Sequence, residues 1–525
     1  MSTFHSPAVR LSAVDFAWPD GTPLFERLDL EIPAGRTGLV GSNGSGKSTL
    51  VRLLVGALLP DHGSVAAHGR LGHLPQDLTQ RSDEWVDVHL GIDGVRRALA
   101  ALEAGDASEA VYDAIGDRWD VEQRAEAQLA RVGLPAGVID RRLGELSGGE
   151  VVQLGLARLL LDGCDILVLD EPTNNLDRAA RERLYDVVSG WAGALLVVSH
   201  DRDLLERMDR IAELHNGEVR WFGGGFSSYV AQRDAELAAA EQAVVSARQE
   251  LRRRRTERRA AERAIAQRRR VGDRSARAGG LGRAEINFQR NRSERSAASA
   301  RHVHDARMSA ARERLDAAES RVRDDQIRVD LPQTAVPGRR EVLRTDAVLR
   351  NGLQVTLRLD GPERVAVVGA NGSGKSTLLH TLAGTIAPRS GTVDVKVPVR
   401  LLPQRLDILD DDLSVVENLR RFAPDAAPRT VHAGLARFLI RAAAADRPVH
   451  SLSGGERFRA TLAALLLADP APQLLLLDEP TNSLDLASTT QLVSALTSYR
   501  GALLVASHDE RFLADVGIER RIQLR

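Results

Sequence analysis

Gly41-Ser-Asn-Gly-Ser-Gly-Lys-Ser-Thr49 decides the fold, and the chain contains it twice, since Gly369-Ala-Asn-Gly-Ser-Gly-Lys-Ser-Thr377 repeats it 328 residues later. Each copy follows a short apolar run (37–40, 365–368) and leads into a helical pattern (49–54, 377–382). The order is strand, glycine loop, helix. Glycines let backbone N–H groups turn inward around an anion, at a helix N-terminus whose dipole favours negative charge. The pattern predicts a phosphate cradle from Gly41, Asn43, Gly44, Gly46, Lys47, Ser48 and Thr49, and another from Gly369, Asn371, Gly372, Gly374, Lys375, Ser376 and Thr377. Lys47 and Lys375 can reach the β and γ phosphates of a nucleotide, while Ser48 and Ser376 can ligate Mg2+. Lysine is otherwise nearly absent. Lys396 is the third and last among 71 basic residues, so arginine is the default cation and each retained lysine is informative.

The repeat extends outward. Gln76 recurs as Gln404 at the same offset, and Leu-Ser-Gly-Gly-Glu at 146–150 recurs at 452–456, 306 residues on. Asp170-Glu171 and His200 recur as Asp478-Glu479 and His508, at 308. The first copy therefore carries 22 extra residues between Gln76 and Ser147. Apolar runs at 166–169, 195–198, 474–477 and 503–505 lack alternation, as parallel strands buried on both faces do. The expected class is α/β, with two nucleotide-binding domains built on parallel sheets. Between them, 231–328 is rich in Ala, Arg, Glu and Gln with almost no Pro, the composition of a long helix. Gly272, Gly279, Gly280 and Gly282 interrupt it and predict two antiparallel helices of roughly 40 residues, each about 60 Å long, joined by a loop near 273–282. The expected domains are 1–225, with a short insertion between 77 and 146, then a basic helical linker over 226–335 with its tip near 268–295, then 336–525.

Composition narrows the classes. A chain of 525 residues, 43% apolar, has room for several cores, and no apolar run approaches the ~18 residues of a membrane span. Its start has no basic segment followed by an apolar one, so a cytoplasmic location is expected. A single cysteine, Cys164, excludes an internal disulfide, an iron–sulfur cluster and a multi-thiolate zinc site. His302 and His304 fall on different faces of a helix and make a poor metal pair. Net charge is −1, yet 251–310 carries 18 Arg and six acidic residues, a local +12.

Asp170 and Asp478 each close an apolar run, where a carboxylate can hold magnesium through water. Glu171 and Glu479 follow, placed to orient or deprotonate an attacking water, and His200 and His508 can contact a γ-phosphate. Ser147, Gly148, Gly149 and Glu150, like Ser453, Gly454, Gly455 and Glu456, precede helical patterns and offer further anion sites. With these motifs in this order, the chain resembles the ATP-binding cassette superfamily, whose signature Leu-Ser-Gly-Gly-Glu resembles. The resemblance implies two cassettes paired head to tail within one monomer, with each ATP between one copy's glycine loop and the other's signature. One site would join Lys47, Gln76, Asp170, Glu171 and His200 to 453–456; the other would join Lys375, Gln404, Asp478, Glu479 and His508 to 147–150. Gln76 and Gln404 resemble the family's magnesium- and water-binding glutamine, and Asp177 and Asp485 its D-loop aspartates. Trp18 lies where the family stacks an aromatic on adenine, although packing alone would also explain it. The second copy has no aromatic in 342–354.

Two cassettes in one chain, with a charged helical linker between them, resemble the F subfamily (ABC-F). This resemblance implies an ATPase of the ribosome's tRNA exit region, whose linker reaches rRNA, the P-site tRNA and the peptidyl-transferase centre. Some members displace antibiotics; translation control is the other role. The candidate RNA contacts are Arg268, Arg269, Arg270, Arg274, Arg277, Arg283, Arg290, Arg292 and Arg295, which can release counterions and stack on bases. A solvated helix of Arg–Glu pairs is the other reading of the same residues. Asn175 and Ser483 stand where many members have histidine, and neither a long arm nor a C-terminal extension past Arg525 is expected. The alternative function is the ATP-binding subunit of a drug exporter with separate membrane partners. A DNA-repair cassette ATPase fits less well, for want of cysteine zinc modules.

Overall fold

The computed structural model describes residues 8–76, 83–174, 176–277, 298, 302–303, 305–319, 329–370, 372–405, 407–440, 442–482 and 484–524. Expectations for Asn175, Arg283, Arg290, Arg292, Arg295, His304, Asn371 and Ser483 lie outside them. Contacts divide the chain into two compact units: Met1–Tyr229 with Asp325–Arg525, which holds both cassettes, and Val230–Asp324.

The first cassette begins with an antiparallel sheet of β1 (Val9–Ala17), β2 (Pro23–Ile32) and β4 (His62–Ala67), in order β2-β1-β4. Its second sheet is formed by β3 (Gly35–Val40), β5 (Leu71–Leu74), β6 (Ile166–Asp170), β7 (Ala194–Val198), β8 (Arg210–His215) and β9 (Glu218–Gly223), in order β5-β6-β7-β3-β8-β9. All its pairings are parallel except β8 with β9. The second cassette repeats the plan. Its antiparallel sheet is β11 (Gln354–Asp360), β10 (Glu341–Val348) and β13 (Ser390–Val395). Its parallel sheet runs β14-β15-β16-β12-β17, from Val399–Leu402, Leu474–Asp478, Ala502–Ala506, Arg364–Val368 and Arg520–Gln523. The α/β class with parallel sheets is thus observed, and an antiparallel sheet is added to each cassette.

Why the apolar runs do not alternate is visible in β15. Leu474 and Leu476 face one core with Leu378, Leu379 and Leu382 of the glycine-loop helix, and Leu475 and Leu477 face the other with Phe458, Leu462 and Leu492. All four are fully buried, each contributing about 1.5–3 kcal/mol by burial, so Leu477→Ala would cost about 2–5 kcal/mol. In β11 the polar and apolar residues do alternate, because only one face is covered.

Between β5 and β6 of the first cassette, helices Asp93–Glu103 and Glu109–Ile115 enclose a small core of Ala98, Val111 and Ile115. Arg96 ties it down through Glu122 (2.8 Å), Asp140 (2.9 Å) and Asp87 (3.3 Å).

The linker corrects one expectation. A single helix, Phe226–Arg277, runs 52 residues, about 78 Å, instead of ending near residue 272. One glycine inside a helix costs only about 1 kcal/mol, too little to stop it at Gly272. Residues 305–319 are also helical, and the two segments pair antiparallel. Arg248 meets Glu319 (2.7 Å), Arg314 meets Glu250 (3.2 Å) and Arg258 meets Asp305 (3.2 Å), around buried Leu251 and Ala311.

Candidate functional site

Each glycine loop turns at two positions only glycine adopts easily: Gly44 and Gly46 have φ of 82° and 99°, and Gly372 and Gly374 have 78° and 98°. Helices Lys47–Leu54 and Lys375–Leu382 start at once, with no side chain capping them, so their first N–H groups are left for an anion. Both lysines are buried and fold back on the loop. Lys47 Nζ donates to the carbonyls of Gly41 (2.7 Å) and Ser42 (3.1 Å), and Lys375 Nζ to those of Gly369 (2.8 Å) and Ala370 (3.2 Å). A Cβ at Gly41 would sit 2.5 Å from the Leu214 carbonyl oxygen, which is why that position is glycine.

A cavity of about 350 Å³ opens over the first loop. Trp18, Asn43, Gly44, Gly46, Lys47, Ser48, Thr49, Gln76, Asp170, Glu171 and His200 line it, together with Asn482 of the second cassette. Trp18 is 38% exposed and packs edge-on against Phe16 at 5.4 Å. The second cavity, about 360 Å³, is lined by Gly372, Gly374, Lys375, Ser376, Thr377, Gln404, Glu479 and His508, with Leu176 and Arg181 supplied by the first cassette and Asn351 standing near the loop. Asp478 lies buried just behind it.

Strand topology places the acidic pairs. Asp170 and Asp478 end β6 and β15, and the next residue in each copy is held in left-handed backbone, Glu171 at φ 49° and Glu479 at φ 43°. The amides of these glutamates donate to the carbonyls of Val198 (2.9 Å) and Ala506 (2.8 Å), at the ends of β7 and β16. Two residues beyond each carbonyl comes a histidine. His200 Nε2 lies 3.4 Å from Glu171 Oε1, and His508 Nε2 lies 3.5 Å from Glu479 Oε1 and 2.8 Å from Lys375 Nζ. Such non-glycine strain costs about 1–3 kcal/mol and gathers at functional sites.

Burial dominates the electrostatics. It pushes the Glu171 carboxyl up to about 8 against the pull of Lys47, and the Glu479 carboxyl up to about 7 against that of Lys375. The same burial, helped by Lys47, drives His200 down to about 3; burial and Lys375 drive His508 down to about 4. Both imidazoles are neutral near pH 7. Lys47 and Lys375 are also lowered by burial, while the neighbouring carboxylates oppose it. Asp478 is raised by burial, its Oδ1 is buried with no hydrogen-bond partner among the described residues, and the Ser376 hydroxyl interacts with the same carboxylate. A hard cation would satisfy that oxygen, so this donor set fits magnesium.

The signature residues begin two helices. Ser147 and Ser453 cap helices Gly148–Asp162 and Gly454–Leu466, each accepting from the amide of the glutamate three residues on (3.3 Å). Glu150 and Glu456 turn back to bond those serines (2.8 and 2.9 Å), and none of 147–150 or 453–456 lines either cavity. The glutamates complete capping boxes. Gly454 does come up to the first loop, where a Cβ on it would stand 3.6 Å from Asn43 Cβ.

The cassettes meet mainly through the aspartates. Asp485 is 3% exposed; its Oδ1 caps helix Leu486–Ser498 by accepting from Ser488 N (2.7 Å), and its Oδ2 accepts from the Asn43 amide of the other cassette (2.7 Å). Asp177 caps Arg178–Ser189 through Ala180 N (2.9 Å). Arg202–Asp515 (2.8 Å) and Arg511–Asp203 (2.7 Å) cross the same interface. Sequence reasoning missed Arg181, which reaches the second cavity across the interface, and Asn482, which lines its own cassette's cavity and the other's. In the linker, Arg270 and Arg274 are exposed; the side chains of Arg268, Arg269 and Arg277 lie outside the described set.

A family model described as ABC transporter matches residues 25–174 and 353–482. The chain is similar to the tylosin resistance ATP-binding protein TlrC of Streptomyces fradiae, 34% identical over 97% of this chain and 96% of that protein. It is also similar to the probable ATP-binding protein YheS of Escherichia coli K12, 32% identical over 92% of this chain and 73% of that protein. Among solved structures, the archaeal complex of ribosomal stalk protein aP1 and ribosome recycling factor aABCE1 matches with a TM-score of 0.53 at 20% identity, over 97% of this chain and 87% of that one. That likeness is one of fold. No helix among the described residues is long and apolar enough to cross a membrane.

Proposed function

Because the chain belongs to the ATP-binding cassette superfamily, and to its F subfamily (ABC-F), we propose that it is a cytoplasmic, ATP-gated ribosome factor. In this reading the cassettes close on two ATP molecules, and the arginine-rich linker acts near the tRNA exit site and the peptidyl-transferase centre. Hydrolysis then releases the factor.

Each composite site divides the work among its residues. Loop amides and Lys47 or Lys375 bind the β and γ phosphates. Ser48, Gln76 and Asp170, or Ser376, Gln404 and Asp478, would hold Mg2+, which when bound neutralises phosphate charge. Glu171 and Glu479 orient the attacking water and take its proton; carboxyls raised toward neutrality suit a general base. The neutral His200 and His508 stand beside those carboxylates and the γ-phosphate. Asp485 couples the second cassette to the first loop, and Trp18 offers a face to adenine.

The observation that carries the ribosomal reading is the charge along Phe226–Arg277. Glu250, Glu257 and Glu262 are engaged by Arg253, Arg254, Arg258 and Arg314. Arg252, Arg255, Arg259, Arg263, Arg270 and Arg274 remain exposed with no ion pair to a described residue. Internal pairing therefore leaves a cationic helix, which suits an RNA surface and has no use in a drug exporter's ATP subunit. Similarity to TlrC, whose name records tylosin resistance, supports protection from such a drug over a general translation role. The test is ATP-dependent co-sedimentation of the Glu171→Gln, Glu479→Gln double variant with purified 70S ribosomes across a salt series. Stoichiometric binding that needs ATP and weakens with salt is expected. An ATP-loaded protein that ignores ribosomes at low salt would overturn the proposal.

A further inference from the structure

The two nucleotide cavities share their motifs, yet one side chain breaks their equivalence. Arg181 and Thr489 hold the same place in the two copies, each the fourth residue after its capping aspartate, with its amide donating to the carbonyl of Asp177 (2.9 Å) or Asp485 (2.8 Å). Arg181 lines the other cassette's cavity, beside Lys375, Glu479 and His508, and a smaller cavity between the cassettes with Glu171 and His200, but not the Lys47 cavity. Thr489 is buried, uncharged and outside the lining of the Lys47 cavity.

The guanidinium is confined without being used up. Its side chain is 16% exposed, its closest carboxylate, Asp201, stands at 3.8 Å, and its Nε is buried with no hydrogen-bond partner among the described residues. Arginine carries five donors in a rigid fork shaped for phosphate, and a buried donor left unmade is unfavourable. Its charge also reaches the second site: burial raises Glu479 and lowers His508, and after Lys375 it is Arg181 whose charge most lowers both. A guanidinium with its Nε unsatisfied therefore borders a space large enough for a polyphosphate, in one cavity and not in its twin.

We infer that Arg181 is a cation supplied by the first cassette to the second nucleotide site, where it binds charge developing on the γ-phosphoryl oxygens, and that the first site works without a counterpart. The inference rests on the reading of both cavities as ATP sites. Phosphoryl transfer to water spreads negative charge over the transferred group's oxygens, and a preorganised donor aimed there acts mainly on the chemical step. The two sites thus cleave ATP at different rates.

Single-turnover ATP cleavage tests this in two parents: Glu171→Gln, in which only the second site cleaves, and Glu479→Gln, in which only the first does. Adding Arg181→Ala to the first parent should slow cleavage roughly 100-fold, the scale of losing one transition-state donor, with half-saturation by ATP changed far less. Millimolar guanidinium ion, or Arg181→Lys in place of alanine, should restore part of the rate, which a purely structural defect would not allow. Adding Arg181→Ala to the second parent should leave its rate within about twofold. Equal losses in both parents, or no loss in the first, overturn the inference. If neither parent cleaves ATP while Arg181 is intact, the reading of the cavities themselves fails, and the inference with it.

Discussion

Asp485 joins two functions in one carboxylate, and its two oxygens allow them to be separated. Oδ1 caps helix Leu486–Ser498 and Oδ2 receives the Asn43 amide from the other cassette, both at 2.7 Å. Burial alone would raise this carboxyl, but the amides of Asn43 and Ser488 hold it below the usual range, so it is ionised at neutral pH. Asp485→Ala removes both bonds. The lost cap costs about 1 kcal/mol, which is about 2–4 °C in Tm for a domain of this size. The lost bond to a charged acceptor costs about 1.5–3 kcal/mol, a factor of about 10 to 150 in the closure of the first site. Asp485→Asn distinguishes the two, because asparagine is an equally good cap yet presents either a weaker acceptor or an N–H2 group to the Asn43 amide. The assay pairs thermal unfolding with the ATP concentration that half-saturates cleavage in the Glu479→Gln background. Asparagine should restore Tm and leave half-saturation raised at least tenfold. Were it to restore both, the bond across the cassettes would carry no closing energy, and the argument from its geometry would fail.

Other outcomes follow from the same geometry. Both glutamates have raised folded-state pKa values, so the stability they contribute is fully present below their ordinary value near 4.5 and is lost as pH rises through about 7 for Glu479 and about 8 for Glu171. The Tm of the nucleotide-free protein should therefore fall more between pH 5 and pH 8 than that of the double Gln variant; parallel curves would contradict the burial argument. Arg96→Met cuts three ion pairs, two of them partly buried, beside helix Asp93–Glu103 and should lower Tm by a few degrees, about 1–2 kcal/mol, while leaving single-turnover ATP cleavage unchanged.

Sequence legibility followed how local the encoding was. The glycine loops, the Asp-Glu pairs and the histidines are each specified by a few adjacent residues, and Lys47, Gln76, Glu171 and His200 do line one cavity. The antiparallel sheets were overlooked although Gln354–Asp360 alternates cleanly, because attention to unbroken apolar runs selects only strands buried on both faces. The Ser-x-x-Glu spacing at Ser147 and Ser453 already spelled a capping box; the stronger association with nucleotide binding concealed it. Arg181 had no such signal, since its place at the second cavity exists only once two distant segments dock. Gly272 shows the reverse error, a local breaker overruled by the long helix around it.

The left-handed backbone of Glu171 and Glu479 also bears on how such a chain can change over generations. Glycine is the residue this conformation favours, and either glutamate codon becomes a glycine codon through one base substitution. The relief of backbone strain, about 1 kcal/mol, is offset by a similar loss through the freer unfolded chain, so the substitution is close to neutral for folding. It removes the carboxylate and leaves the phosphate cradle whole. A chain with both carboxylates therefore lies one fold-neutral step from one that keeps its phosphate cradle and lacks the carboxylate beside it, so stability alone would not hold these positions as glutamate.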